Sequence, residues 1–93
     1  MSYFVYMLGS HNKNRLFTYV GYTKNQKERL KLHNKGKGAK FTRGRTWKIM
    51  YIEKYLTKNE AISREYYIKK NRKFRNLIKK NLNEKKLSYT LTL

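Results

Sequence analysis

Two apolar runs rich in aromatic residues stand near the start of the sequence, Tyr3-Phe4-Val5-Tyr6-Met7-Leu8 and Leu16-Phe17-Thr18-Tyr19-Val20-Gly21-Tyr22. Aromatic and β-branched side chains suit a pleated sheet, whereas the polar segment between the runs, Gly9 to Arg15, is rich in residues typical of turns. The pattern predicts a β-hairpin whose two strands are joined by a long loop.

Strand periodicity places a tyrosine on one face of each predicted strand. Because side chains alternate along a strand, Tyr6 shares a face with Leu8, and Tyr19 shares a face with Gly21. A glycine inside a strand often marks a place where another group comes close. The two tyrosines and the glycine would suit the floor of a polar site, although ordinary sheet packing explains them more simply from the hairpin alone.

The charge of the chain is strongly unbalanced. Its 93 residues include 24 Lys and Arg against 5 acidic residues, all Glu, which gives a formal net charge of +19. Cationic side chains that neutralise phosphates release condensed counterions, so this excess predicts attraction to nucleic acid. An anionic membrane surface is a weaker candidate, because no long amphipathic segment carries a wide apolar face.

Length and composition limit the class of protein. We expect one domain over residues 1–93, with a basic helical segment and tail from about residue 73. The chain has no Cys, which excludes disulfides and zinc–thiolate sites. The N-terminus lacks the pattern of a signal peptide or membrane span, so we expect a cytoplasmic protein, associated with the nucleoid if it is bacterial.

The segment after the hairpin predicts a short helix and then a basic loop. Residues 23–26 fit a capping box with Thr23 as the N-cap, and the glycines at 36 and 38 predict the helix end. On this helix Arg29 and His33 lie on one face, although both could be solvated surface residues in so basic a chain. The loop from Gly36 to Arg45 could bring backbone N–H groups and cations to phosphates, but it lacks the Walker A spacing.

The rest of the chain predicts a third strand and two more helices. Trp47 to Tyr55 has strand character, and a second capping box at Thr57 to Glu60 begins a helix that extends to about Asn71. A final short amphipathic helix is predicted from the sparse apolar residues Phe74, Leu77, Ile78 and Leu82. The structure of the tail, Leu87 to Leu93, is left open.

One carboxylate of the second helix projects from the face that the helix needs for packing. Three of the four helical neighbours of Glu65 are apolar: Ala61, Ile62 and Ile68. A charge buried there is costly unless it is paired or binds a metal. A salt bridge to a nearby Arg is the simpler interpretation, and a ligand for a hard cation such as Mg²⁺ is the other.

The order of these features resembles the GIY-YIG nuclease superfamily, in particular its short, single-domain bacterial and viral members. The features are Phe4-Val5-Tyr6 and Tyr19-Val20-Gly21 for the two signature triplets, Arg29 and His33 on the first helix, the following loop to Arg45, and Ser63-Arg64-Glu65 on the later helix. The match covers about Tyr3 to Lys73. The first triplet lacks the family's Gly, Arg45-Thr46-Trp47 lacks a common Pro, and neither Asn71 nor Asn76 aligns with a later family Asn.

The resemblance implies an α+β fold, a small three-stranded antiparallel sheet flanked by helices, and phosphodiester hydrolysis with one Mg²⁺ or Mn²⁺ ion. Glu65 would bind the metal, which stabilises the leaving 3′ oxygen, and Arg29 would neutralise charge on the phosphoryl oxygens. Tyr6 would help deprotonate the attacking water, Tyr19 would position water or phosphate, and His33 would assist either task. Since a free Tyr has a pKa near ~10, the metal and Arg29 would have to favour the phenolate.

The leading functional hypothesis is therefore a metal-dependent endonuclease on DNA. With no separate recognition module, it is expected to select branched or distorted structure, in repair or recombination, with a partner protein as a further source of specificity. DNA is favoured over RNA, and contacts to the backbone are expected from Lys40, Arg43, Arg45, Lys69, Lys70, Arg72 and Lys73. The alternative is a basic nucleic-acid-binding or ribosome-associated domain with a relict site.

Overall fold

The computed structural model describes residues 2–85, and the side chains of residues 2–80. The strands are β1 (Tyr3–Asn12), β2 (Arg15–Thr23) and β3 (Lys48–Tyr55), the helices are α1 (Gln26–Asn34), α2 (Lys58–Lys70) and α3 (Arg72–Lys85), and a 3-10 turn spans Lys40–Thr42. The strands form one antiparallel sheet in the order β2-β1-β3. The predicted α+β class, with helices flanking a three-stranded sheet, is confirmed.

The hairpin is longer and its turn is tighter than the sequence pattern predicts. Asn12 pairs with Arg15, so only Lys13 and Asn14 connect the strands, and Lys13 has a positive φ of 59°. The prediction of a long loop is wrong. Gly9 lies within β1, and the side chain of Met50 fills the space beside it. A β-carbon on residue 9 would lie 2.3 Å from Sδ of Met50, so this position requires a glycine. A glycine typical of loops thus serves here as a close-packed strand residue.

The central strand β1 is covered on both of its faces. On one face Val5 and Met7 pack with residues of α2 and α3, among them Ile68 and Ile78. On the other face Tyr6 and Leu8 pack with Trp47 and Ile52, and Leu30 of α1 contacts this cluster. Burial on both faces explains why the β1 sequence is apolar at consecutive positions rather than at alternating ones.

Of the two N-caps predicted from capping-box patterns, the one of α2 is observed and the one of α1 is not. The N-cap of α1 is Asn25, whose side chain accepts a hydrogen bond from the Glu28 N–H at 3.1 Å. The prediction of Thr23 as the cap is wrong, because Thr23 instead accepts from the Asn25 N–H in the turn before the helix. The capping box of α2 is confirmed, since Thr57 accepts from the Glu60 N–H and Glu60 accepts from the Thr57 N–H.

The C-terminal part of the described chain is helical, as predicted. In α3, Ile78 is buried and Phe74 packs against the core, whereas Leu77 is half-exposed. The tail from Leu87 to Leu93 lies outside the described residues. Within residues 2–85, none of the helices has the length and apolar character that a membrane crossing requires.

Candidate active site

A buried hydrogen bond joins β1 to α1 at the centre of the site. The Tyr6 hydroxyl lies 3.0 Å from Nε2 of His33, and both residues are almost completely buried. The ring of Tyr19 lies against the same imidazole, with centroids 5.1 Å apart. Tyr6 and Tyr19 lie on one face of the sheet, because Tyr6 pairs with Gly21 and Tyr19 with Leu8.

The tautomer of His33 follows from its second partner, Thr42. Nδ1 of His33 lies 2.8 Å from the Thr42 hydroxyl, which donates its single proton to the Ala39 carbonyl at 2.9 Å. Since that proton is already used, the hydroxyl accepts from the Nδ1–H of His33. In the neutral ring Nε2 then carries no proton, so it accepts the hydrogen bond that Tyr6 donates. Burial and the nearby Arg29 lower the pKa of His33, which favours this neutral ring.

Two glycines leave the space that these side chains occupy. A β-carbon on Gly21 would lie 2.5 Å from the Tyr6 hydroxyl oxygen, and one on Gly38 would lie 2.2 Å from Nδ1 of His33. Both distances are far below van der Waals contact. The close approach that the strand glycine suggests is therefore present, and the group that approaches Gly21 is Tyr6 itself.

Arg29, Tyr19 and Glu65 all act electrostatically on the Tyr6 hydroxyl. Burial raises the pKa of Tyr6 to about 12; the Arg29 guanidinium opposes the rise, whereas Tyr19 and Glu65 add to it. Although Arg29 acts in the direction expected from the sequence, desolvation outweighs it. Tyr6 is consequently protonated at neutral pH and serves as the donor to His33.

The surroundings of Glu65 fit a site for a hard divalent cation shared with a phosphate. The Glu65 side chain is only 19% exposed, and its cationic partner in α2 is Lys69, with Nζ 3.7 Å from Oε2. No group of three His or acidic side chains that could hold a metal occurs among residues 2–85. Mg²⁺ nevertheless commonly binds through one or two carboxylates, with waters and substrate phosphates completing its shell. One carboxylate beside the tyrosine cluster satisfies that pattern.

The expected ion pair to an arginine exists in the protein, but its carboxylate is Glu53. Arg64 donates two hydrogen bonds to Glu53, at 2.8 and 3.0 Å, and the hydroxyls of Tyr51 and Tyr55 donate to the same carboxylate. Burial alone would raise the pKa of Glu53, but hydrogen bonds from Arg64 and the two tyrosines lower it. No local sequence pattern indicates this network, because β3 and α2 come together only in the folded chain.

A second missed contact fixes the loop that carries Thr42. The Asn34 side chain accepts from the Trp47 N–H at 2.6 Å and donates to the Trp47 carbonyl at 3.2 Å. The indole of Trp47 in turn donates to the Thr42 carbonyl at 2.9 Å. These bonds clamp both ends of the loop over α1 and hold Thr42 against His33.

Two of the basic residues expected to contact nucleic acid lie beside the tyrosine face of β2. Lys69 lies over the Tyr19 ring at 6.0 Å, and Arg45 lies over the Phe17 ring at 3.8 Å, so both border the tyrosine face of β2. The other five are exposed on the surface: Lys40, Arg43, Lys70, Arg72 and Lys73.

The model of the GIY-YIG catalytic domain family matches residues 2–83. The chain belongs to the GIY-YIG family.

Its relatives are short proteins named UPF0213. The UPF0213 protein CPE1444 of Clostridium perfringens is 40% identical over 97% of this chain and 98% of its own length. The UPF0213 protein OB0043 of Oceanobacillus iheyensis is 41% identical over 81% of this chain and 85% of its own length. The solution NMR structure of a UPF0213 protein from Bacillus halodurans matches 100% of this chain and 97% of that one, at 31% identity and a TM-score of 0.54.

Proposed function

We propose that this protein is a divalent-metal-dependent endonuclease that hydrolyses phosphodiester bonds in DNA. The observation that carries the proposal is the convergence of Arg29, His33, Tyr19 and Glu65 on the buried hydroxyl of Tyr6. Tyr6 and His33 are buried, and Arg29, Tyr19 and Glu65 are partly buried beside them. Such concentrations of ionisable groups with shifted pKa values are typical of functional sites. Membership in a family of catalytic domains points to the same reaction class.

In this proposal Tyr6 and His33 activate the attacking water together. As the water oxygen forms a bond to phosphorus, its proton passes to the Tyr6 oxygen, and the Tyr6 proton passes to Nε2 of His33. His33 then carries protons on both nitrogens. The bond from phosphorus to the 3′ oxygen breaks, and the 3′ oxygen takes a proton from solvent water. This relay requires no phenolate in the resting enzyme, which agrees with the raised pKa of Tyr6.

Phosphoryl transfer depends on positioned charge more than on covalent chemistry by the protein. Arg29 is proposed to neutralise negative charge on the phosphoryl oxygens, and Tyr19 to position the water or the phosphate. Glu65 is proposed to hold one Mg²⁺ or Mn²⁺ ion with the substrate phosphate. When bound, that ion supplies positive charge for the phosphate and for the leaving 3′ oxygen. Lys69 beside Glu65 would then turn to the DNA backbone.

The proposed substrate is DNA with branched or otherwise distorted structure, met in repair or recombination at the nucleoid. The formal net charge of +19 supports a binding mode dominated by the phosphate backbone. The proposed contacts are those of the basic loop and of the junction between α2 and α3: Lys40, Arg43, Arg45, Lys69, Lys70, Arg72 and Lys73. A partner protein is proposed to add specificity.

The test is cleavage of a panel of single-stranded, duplex, flap and branched DNA, with matching RNA, in Mg²⁺, Mn²⁺ or EDTA. We expect metal-dependent cleavage, highest on the distorted DNA. Glu65→Gln keeps the shape of the side chain and removes its charge. Cleavage should fall by several orders of magnitude, while binding is kept or tightened because a negative charge that faces phosphate is gone.

The same panel separates the enzyme from a non-catalytic nucleic-acid-binding protein, which the high positive charge alone would also support. A binding protein would shift every labelled substrate and cleave none, with or without metal. Cleavage at wild-type levels by folded Glu65→Gln protein would end the assignment of Glu65 as the metal ligand.

A further inference from the structure

The 3-10 turn presents an aromatic side chain to solvent next to the candidate active site. Phe41 is 49% exposed, although its neighbour Thr42 is completely buried and hydrogen-bonded to His33. Because the Thr42 carbonyl accepts from the Trp47 indole and the Thr42 hydroxyl donates to the Ala39 carbonyl, the backbone is held both before and after Phe41. The exposure of this ring is therefore built into the fold and does not reflect a loosely held loop.

The Phe41 ring is held in one orientation by its neighbours. Phe17 contacts it edge-on, with centroids 6.4 Å apart, and Trp47 packs at 6.1 Å. The Arg45 guanidinium lies 5.5 Å from its centroid. A ring held in this way loses little conformational entropy when a ligand covers its open part, which favours binding.

The charges around the ring indicate the kind of ligand. The guanidinium groups of Arg15 and Arg45 lie 5.2 and 3.8 Å from the Phe17 centroid, and Lys40 and Arg43 are exposed on either side of the turn. An exposed aromatic ring among cations that follow a backbone is the arrangement by which proteins bind unpaired nucleotides: the base stacks and the phosphates pair with the cations. An acyl chain would need a wide apolar face, which this patch does not offer.

We propose that Phe41 stacks an unpaired nucleobase of the nucleic acid that binds at the candidate active site; this inference rests on that site receiving nucleic acid. Phe17, which contacts Phe41, lies two residues from Tyr19 on one face of β2, so Phe41 lies next to the tyrosine face of that strand.

This contact would explain a preference for distorted substrates. In a continuous duplex both faces of each base are covered by its neighbours, so Phe41 has no open face to contact. At a flap, a branch or a gap an unpaired base turns its face outward at a smaller cost. The proposed stacking on Phe41 therefore favours nucleic acid that has an unpaired base close to the bond that is cut.

The test measures binding of the full-length protein in EDTA, where no cleavage is required. The probes are a fluorescein-labelled single strand, an abasic strand with the same number of phosphates, and a duplex. The wild-type protein should bind the base-containing strand about tenfold or more tightly than the abasic strand, as expected for one stacked base. Phe41→Leu should lose this ratio and Phe41→Trp should keep it. The control Tyr66→Leu, at a 63% exposed aromatic on α2, should also keep it.

A second readout locates the contact. Phe41→Trp adds an exposed indole, whose emission should be quenched by the base-containing strand and not by the abasic strand. The native Trp47 is 1% exposed and provides the background signal. Equal affinity of the wild type for both strands, an undiminished ratio in folded Phe41→Leu, or an equal loss in Tyr66→Leu would overturn the inference. Absence of cleavage with this binding ratio intact would overturn the proposed nuclease function alone.

Discussion

The backbone of Gly38 passes so close to His33 that a β-carbon on residue 38 would lie 2.2 Å from Nδ1 of the imidazole. The ring has no room to retreat, because Nδ1 is bonded to Thr42 and Nε2 to Tyr6. The loop after α1 therefore fixes the imidazole from outside the helix that carries it. The position of His33 depends on residue 38 as much as on α1.

Gly38→Ala should impair cleavage by displacing His33. A shift of about 1 Å in a positioned group can cost about 10²-fold in rate, so we expect a loss of that order. Gly36→Ala is the matched control, because its β-carbon would meet no atom within 4 Å, although its φ of +77° makes alanine strained. Gly36→Ala should lower stability by about 1–2 kcal/mol and leave the rate unchanged. Equal rates for both variants would contradict the steric argument.

Thr42→Val should remove the acceptor that selects the tautomer of His33, whereas Thr42→Ser should retain it. Without the hydroxyl, His33 can carry its proton on Nε2 and then cannot accept the Tyr6 proton. Cleavage should fall about tenfold or more in Thr42→Val and recover in Thr42→Ser. Nitrogen NMR of the imidazoles reports the tautomer directly, with the exposed His11 as internal reference. An unchanged His33 signal in Thr42→Val would refute the assigned role.

Tyr6→Phe should leave the fold intact and nearly abolish cleavage, because it removes only the hydroxyl from a ring that packs alike. The pH profile provides a second readout. His33 must be neutral to accept a proton, and burial and Arg29 hold its pKa below 6.5. The rate should therefore persist as the pH falls through 6.5 and decline only at lower pH. Tyr66→Phe, on the exposed face of α2, should retain both rate and profile; a Tyr6→Phe rate equal to that of Tyr66→Phe would exclude the relay.

Local patterns predict the elements of this fold better than their junctions. The Thr57 capping box and the alternation within each strand need only neighbouring residues, whereas the pairing of Tyr6 with Gly21 and of Tyr19 with Leu8 places the two tyrosines on one face. The same rules do not predict the hairpin turn. Gly9 is part of β1, and the side chain that requires a glycine there is that of Met50, which is distant in sequence. Sequence spacing carries no information about such a partner.

The candidate site shows the same division. The residue types of the site and their spacing resemble those of the family and could be predicted. Which nitrogen of His33 carries the proton depends on Thr42 and Ala39, in a separate loop. The raised pKa of Tyr6 results from burial by the whole fold, which no local pattern reports. Alternation places Glu53 on one face of β3 with Tyr51 and Tyr55, but its partner Arg64 is on α2, and no local pattern indicates that contact.

Removal of one cation from the basic loop should weaken DNA binding by a similar factor for every sequence. Arg43→Ala should lower the slope of log affinity against log salt by about one unit, because one phosphate contact is lost. Lys54→Ala is a charge-matched control, since this exposed lysine lies on β3, the edge strand opposite β2. The measurement is fluorescence anisotropy over a salt series. Equal slopes for Arg43→Ala and Lys54→Ala would remove Arg43 from the proposed surface.

Glu53→Gln tests the ion pair with Arg64, and its effect should depend on pH. At pH 7 the substitution breaks a charge-assisted pair whose side chains are 30% and 14% exposed, so we expect a loss of about 2–4 kcal/mol in the free energy of unfolding. The pKa of Glu53 is lowered on folding, so its contribution is complete above the unfolded value of 4.5 and disappears as the pH falls through the lower, folded value. The difference in unfolding free energy between the wild type and Glu53→Gln should therefore close below about pH 4.5 in thermal unfolding.

The control is Glu28→Gln, which removes a pair with side chains 69% and 67% exposed and should produce little change at any pH. A difference of constant size between the wild type and Glu53→Gln from pH 7 to pH 3 would show that Glu53 stabilises the fold by packing rather than by its charge.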